Sequence, residues 1–339
     1  MAAKFIPRQV FPQHAYIQKS YFLGHHKAGL QKMRRELSKI DYIIECRDYR
    51  APVSSINPAF EELMGDLPDA RRLIVYTKRD LGTPQLSEDR MVRKTIKSFD
   101  PKSEVFFVRS VGSSPKAVTG ILEHLKNDAF GPNNLTGVRA MVVGMPNVGK
   151  STLINSLRNK GVGKGKVERT GGQPGITQKI GAPVKIIDRE EGPHVYVSDT
   201  PGVFVPYVDD TTRMLRLALC GCVKDGIISP IILADYLLYL INLHDPQLYE
   251  RWSQPTNEII TFLSTFAHRI GALAKGGIPN LDEAAIRFIQ KWRMGSLGRF
   301  LLDDLQEEER RRLEGTSDLT PVSMTQAMQA YKVRKRERS

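Results

Sequence analysis

A chain of 339 residues, 41% hydrophobic and 26% charged, has the make-up of a folded protein, which excludes global disorder, and its length points to two domains. The formal net charge of +13 favours polyanionic partners such as nucleic acid. Cys46, Cys220 and Cys222 have no metal-ligand spacing and form no disulfide framework, which suggests a reducing compartment. The most apolar run, residues 227–244, is interrupted by Pro230 and Asp235, so no transmembrane helix is expected.

Along the chain, residues 1–21 form a basic N-terminal segment. No acidic residue precedes Glu36, which fits either a mitochondrial targeting segment or a basic RNA-contacting arm. From residue 22 to 130, helical and extended patterns alternate. "GLQKMRRELSKI", "NPAFEELM" and "SEDRMVRKTIKSF" read as helices, and "DYIIECRD", "RRLIVYTKRD" and "SEVFFVRS" as strands. That alternation predicts an α/β fold with a parallel sheet covered by helices. Residues 130–137 are a linker by composition. "VRAMVVG" is a further strand, "KSTLINSLRN" a helix and "HVYVSDTPG" a strand ending in a turn. Between them, residues 158–179 hold six glycines and six Lys or Arg against one Glu, a composition expected of a surface loop. After residue 206 helical periodicity dominates, near 211–225, 231–243, 257–273 and 281–303. The expected organisation is a domain over 22–205, a helical domain over 206–320 and a basic tail over 321–339.

"GMPNVGKS", Gly144 to Ser151, matches the phosphate-loop pattern G-x-x-x-x-G-K-[ST] between a strand and a helix. The glycines let backbone N–H groups face the phosphates, Lys150 brings charge to the terminal phosphates and Ser151 can bind magnesium. Asn147, Val148, Gly149, Lys150, Ser151 and Thr152 are the expected nucleotide contacts there. "DTPG" supplies Asp199 for magnesium and Gly202 for the γ-phosphate. In "PGIT", Thr177 is the candidate to close onto magnesium, with Thr170 second. In "TKRD", Asp80 can accept from the N1–H and amino group of guanine, Lys78 can lie across the base and Thr77 stands where Asn is usual. Thr77 is expected to weaken the ties around the base. Ser110 and Val111, in "SVG", can bring backbone N–H groups to the base carbonyl.

The motifs run base recognition, base support, phosphate loop, switch threonine, switch aspartate. This is the ordinary GTPase order cut and rejoined, as a circular permutation would leave it. The sequence resembles the circularly permuted YlqF/RbgA-type GTPases, and their mitochondrial branch most closely. The likeness rests on "YFLGHHKAGL", "DYRAPVSSINP", "GMPNVGKSTLIN", "GGQPGIT", "DTPGV" and "LRLALCGCVKDGII", and it runs from residue 21 to about 303. Leu23, Tyr49 and Thr77 depart from the family pattern.

The resemblance implies GTP hydrolysis, with GTP or GDP and Mg2+ bound, coupled to assembly of the large subunit of the mitochondrial ribosome. It further implies rRNA binding by the C-terminal helices and peripheral association with the matrix face of the inner membrane. A monomer is expected. The position after D-x-x-G is Val203, which cannot orient water, so turnover should be slow without the ribosome. His25, matched to the family's histidine, is either the missing catalytic group, beside Lys150 and Thr177, or structural. Asn147 matches an asparagine that helps hold K+; its other reading is loop hydrogen bonding. A nucleotide-gated RNA scaffold and a P-loop ATPase or kinase are the competing functions.

Overall fold

The apolar runs form β1 (Tyr42–Asp48), β2 (Arg71–Thr77), β3 (Glu104–Phe107) and β4 (Val138–Gly144), followed by β5 (Val184–Ile187) and β6 (Val195–Asp199). The structure is a computed structural model and describes residues 5–12, 17, 24–65, 71–110, 115–130, 137–163, 181–188, 194–205, 208 and 210–314. All six strands join one sheet in the order β3-β2-β1-β4-β6-β5. Every neighbouring pair is parallel except β5 with β6, so the expected parallel sheet carries one antiparallel edge strand. Strands buried on both faces read as continuous apolar runs, which is why β1, β2 and β4 were legible as such.

The chain enters the sheet at β1, runs out to β3 and returns to place β4 on the other side of β1. Strand order therefore reverses between β1 and β4, and the crevice at the carboxyl ends of such neighbours is where α/β sheets bind ligands.

Helices α1 (Gly24–Glu36), α2 (Pro58–Gly65), α3 (Leu86–Phe99), α4 (Pro115–Ala129) and α5 (Lys150–Val162) cover the sheet. α5 continues through Val162, so the beginning of the glycine-rich stretch is helical rather than loop. The α4 and α5 side shares one apolar core with α6 (Thr211–Leu219), α7 (Pro230–His244), α8 (Ile259–Ile270) and α9 (Leu281–Arg293). On the other face, Met33 of α1, Leu37 just beyond it, and Phe60 and Leu63 of α2 pack on Ile43, Met141 and Val143.

Three expected helices are shorter in the structure, α8 by a few residues at its ends. α6 is N-capped by the Asp210 carboxylate, which accepts from Thr212 N and Arg213 N, and it ends at Leu219. α9 stops at Arg293, because Gly295 takes φ +79° and turns the chain back. Residues beyond it return to the loop after β1: Leu302 N donates to Arg50 O at 2.7 Å, and the buried Asp303 carboxylate accepts from Val53 N at 2.7 Å, Ser54 N at 2.8 Å and Arg216 Nη1 at 3.2 Å. A further helix, α10 (Leu305–Leu313), follows.

Residues 5–12 lie against α7. Arg8 pairs with Asp235 at 2.5 Å, Asn257 Nδ2 donates to Ile6 O at 2.9 Å, and the Phe11 ring meets Tyr236 edge-on at 5.0 Å. No described helix is long and apolar enough to cross a membrane. The three cysteines are buried thiols, and burial raises the pKa of each, to about 12 for Cys222.

Candidate nucleotide site

The carboxyl ends of β1, β2, β4 and β6 bring the motifs together although the chain order scatters them. The loop after β4 passes through Asn147 at φ +57° and Gly149 at φ +95° before α5 begins. Gly149 rests on Thr77 in a left-handed conformation that a side chain would strain. Lys150 is buried, and its Nζ donates to Met145 O at 2.9 Å and Gly144 O at 3.3 Å. Burial lowers its pKa, so added negative charge from phosphates would stabilise its ammonium form. The helix N-terminus behind it adds inward-facing N–H groups.

Ser151 Oγ donates to Asp199 Oδ2 at 2.6 Å, and Asp199 is fully buried at the end of β6. A hydroxyl and a carboxylate at that spacing are the hard oxygen donors Mg2+ prefers, with phosphate and water completing its shell. When bound, the ion would neutralise charge developing on the phosphates. Thr200 Oγ1 donates to Val142 O at 2.7 Å and locks the turn that follows. Gly202 passes Pro146 so closely that a Cβ would lie 2.7 Å from the proline Cα, so no side chain fits.

The base side is built from β2 and β3. Thr77 Oγ1 contacts Arg47 O at 3.2 Å and donates to Val148 O, tying β2 to the phosphate loop. One hydroxyl proton makes this tie, where an amide would bring two. Lys78 sits at φ +57°, and with Asn147 it is one of two non-glycine residues at positive φ among those described. They touch each other: Lys78 Nζ donates to Asn147 O at 2.6 Å and to Asp48 Oδ2 at 2.8 Å. Such a backbone persists where surrounding bonds over-determine it, and paired strain of this kind clusters at functional sites. Asp80 accepts from Ser110 N at 2.5 Å and Ser110 Oγ at 2.8 Å, which fixes the carboxylate orientation.

Asp48 and Arg50 were given no role by sequence reasoning. Asp48 is buried and pairs with Arg50, Nη2 to Oδ2 at 2.8 Å. Burial alone would raise its pKa, but Arg50 and Lys78 outweigh it and hold the carboxyl well below its ordinary range. The Arg50 guanidinium lies 4.9 Å from the Trp292 ring centre and donates to Cys220 O at 3.2 Å. Asn147 Nδ2 donates to Gly221 O at 2.9 Å, beyond the end of α6, and Arg293 holds the Ala218 and Leu219 carbonyls at 2.8 and 2.9 Å. Polar residues inside "DYRAPVSSINP" were the available signal, since strand ends rarely bury an aspartate and an arginine together.

At the switch, Val203 is fully buried in the apolar cluster between α1 and the sheet. Its N–H donates to Gly144 O at 3.2 Å and its carbonyl accepts from Asn57 Nδ2 at 2.9 Å. His26 Nδ1 lies 3.0 Å from Gly202 O and 3.4 Å from Phe204 N, so the ring is seated on the backbone of the switch turn. His26 was missed because adjacent histidines look alike until the helix direction is known. The His25 side chain, Val111, Thr170 and Thr177 lie outside the described residues, and Thr152 is exposed on α5.

These features define a P-loop GTPase whose motif order is circularly permuted. Residues 139–270 match the family model described as "50S ribosome-binding GTPase". Mitochondrial GTPase 1 of Schizosaccharomyces japonicus is 36% identical over 86% of this chain and 92% of its own, and mitochondrial ribosome-associated GTPase 1 of Xenopus tropicalis is 32% identical over 84% and 94%. The structure of GNP-bound YlqF from T. maritima superposes with a TM-score of 0.54 at 21% identity, covering 81% of this chain and 97% of that one. The chain belongs to the mitochondrial GTPase 1 family and is a GTPase.

Proposed function

We propose that this GTPase acts in assembly of the large subunit of the mitochondrial ribosome, the nucleotide state being relayed from the phosphate loop to C-terminal helices that hold rRNA. One observation carries the reading: Asn147, inside the phosphate loop, donates its side-chain amide to Gly221 O in the helical region. A shift of that loop on γ-phosphate loss would move the helices with it. The names of the relatives support mitochondrial location and ribosome association. The matrix face of the inner membrane is the finer assignment.

Within this reading, residues 22–205 bind nucleotide, residues 206–320 bind rRNA and residues 321–339 form a basic tail. Thr77, Lys78, Asp80, Ser110 and Val111 recognise guanine. Asn147, Val148, Gly149, Lys150, Ser151 and Thr152 hold the phosphates, and Gly202 senses the terminal one. Ser151, Thr177 and Asp199 hold Mg2+. The Asn147 amide oxygen is the atom suited to K+, its nitrogen being committed to Gly221. Because the Val203 side chain is buried and apolar, it orients no water, and His25 or the ribosomal particle supplies that function.

The test is GTP turnover by the full chain with and without large mitoribosomal subunits, in potassium and in sodium. Stimulation by the particles, larger in potassium, is expected. Turnover unchanged by particles would reject the assembly role, and equal rates in both salts would reject the ion.

A further inference from the structure

A groove of about 500 Å³ opens between the last turns of α1 and the first residues of β4 and β6. It is lined by Lys32, Arg35, Lys39 and Arg139, with Tyr196 and Ser198 on the sheet. All four cations are exposed. Lys32, Arg35 and Arg139 have no ion-pair partner among the described residues, while Lys39 pairs with Glu36 at 3.2 Å. The other nearby carboxylate, Asp41, is occupied by the Arg139 N–H at 2.8 Å. Four cations thus face two carboxylates that are already bonded.

The basic end of the groove lies away from the phosphate loop, although Ser198 and Gly181 at its other end adjoin Asp199. Arg139 stands five residues before Gly144 on β4, about 16 Å along the strand. Its charge therefore serves neither phosphate binding nor the switch motifs.

We infer that this groove is a second RNA surface, on the sheet side of the molecule, that takes a single-stranded phosphodiester segment with one base laid on Tyr196. The inference rests on the ribosome-assembly reading and adds a contact that the C-terminal helices do not provide. Repeated phosphates suit repeated cations, and the half-buried Tyr196 between them, met by Lys185 Nζ at 5.9 Å from its ring centre and by the His194 ring in a T-shaped contact, offers its remaining surface for stacking. A bilayer surface fits less well. The groove is concave, and none of the exposed large hydrophobic residues among those described lies in it, so nothing there would insert among lipids.

The test uses the full chain, a fluorescent mixed-sequence single-stranded RNA of twelve nucleotides, and vesicles of phosphatidylcholine with cardiolipin. The variants are K32Q/R35Q/K39Q and, separately, Y196A. The triple variant is expected to bind RNA about 10- to 100-fold more weakly at low salt, and the slope of log affinity against log salt should fall by about 2, at about 0.7 for each phosphate no longer neutralised. Y196A should lose about tenfold in affinity with the salt slope unchanged. Basal GTP turnover and melting temperature of the triple variant should match the parent.

A parent that binds the RNA while the triple variant binds it equally, with the same salt slope, overturns the groove and leaves the assembly reading standing. A parent that binds no RNA at all overturns both. Loss of vesicle binding in the triple variant, with RNA binding intact, assigns the groove to lipid and likewise rejects the inference.

Discussion

Strand β1 carries two buried ion networks built alike and used differently. Glu45 and Asp48 are both carboxylates with an arginine two residues on, Glu45 with Arg47 at 2.6 Å and Asp48 with Arg50 at 2.8 Å. Both titrate below their ordinary range because flanking cations outweigh the cost of burial. The Glu45 network closes within the sheet and its covering helices: Arg72 joins Glu45 and Glu61, and Arg47 reaches Tyr76 OH at 3.4 Å. The Asp48 network opens outward, to Lys78 at the base site and through Arg50 to Trp292 and Cys220 O. The same chemistry serves as an internal clamp in one place and as a joint between the Lys78 turn and the helices in the other. What differs is the neighbour the second partner belongs to.

The comparison breaks most visibly at its centre. Asp48→Asn should destabilise the chain by about 3–5 kcal/mol, because Arg50 stays buried without its counter-charge. It should also weaken GTP binding about 10- to 100-fold, since Lys78 is left with one of the two ties holding its left-handed backbone. Chemical denaturation and a nucleotide titration on the folded fraction read the two effects separately. Glu45→Gln should cost about 3 kcal/mol and leave GTP affinity unchanged; a matching drop in affinity would erase the distinction drawn between the networks.

Acid sharpens the same contrast. The Glu45 pKa is lowered from 4.5 to about 2 by Arg47 and Arg72 against burial. Between those values the unfolded chain binds a proton that the folded one does not. The contribution, about 3 kcal/mol, is therefore complete above pH 4.5 and lost as pH falls toward 2. Urea midpoints measured between pH 7 and 3 should fall steeply for the parent and less steeply for Glu45→Gln. The smallest effect belongs to Trp292→Leu, which should cost about 1–2 kcal/mol because the Arg50 guanidinium no longer rests on an aromatic face. Combined with Asp48→Asn it should be non-additive by about 1 kcal/mol, and combined with Glu45→Gln additive.

Much of this molecule was legible in its sequence because the legible parts are local. Apolar runs marked β1 to β4 and β6, and four of the five motif stretches follow strand ends, "PGIT" lying outside the described residues. β5 escaped notice because four residues, "VKII", carry too short a pattern. The length of α9 was overestimated because apolar spacing continues past Arg293, where a left-handed glycine ends the helix. The joint was illegible for another reason. Asp303 and Val53 are separated by 250 positions, and Arg50 and Cys220 by 170, and no local pattern records a partner so distant. Local chemistry announces the nucleotide; long-range pairing, visible only in three dimensions, announces what listens to it.

The docking of residues 5–12 on α7 bears on how the chain matures. A basic, acid-free beginning has the composition of an import signal, yet Arg8 pairs with Asp235 and Phe11 packs among Tyr236 and Tyr239. A peptidase cutting after Phe11 would leave Asp235 without its guanidinium and expose two stacked tyrosine rings on the helical surface. A cut there would thus remove an ion pair and a ring contact from α7.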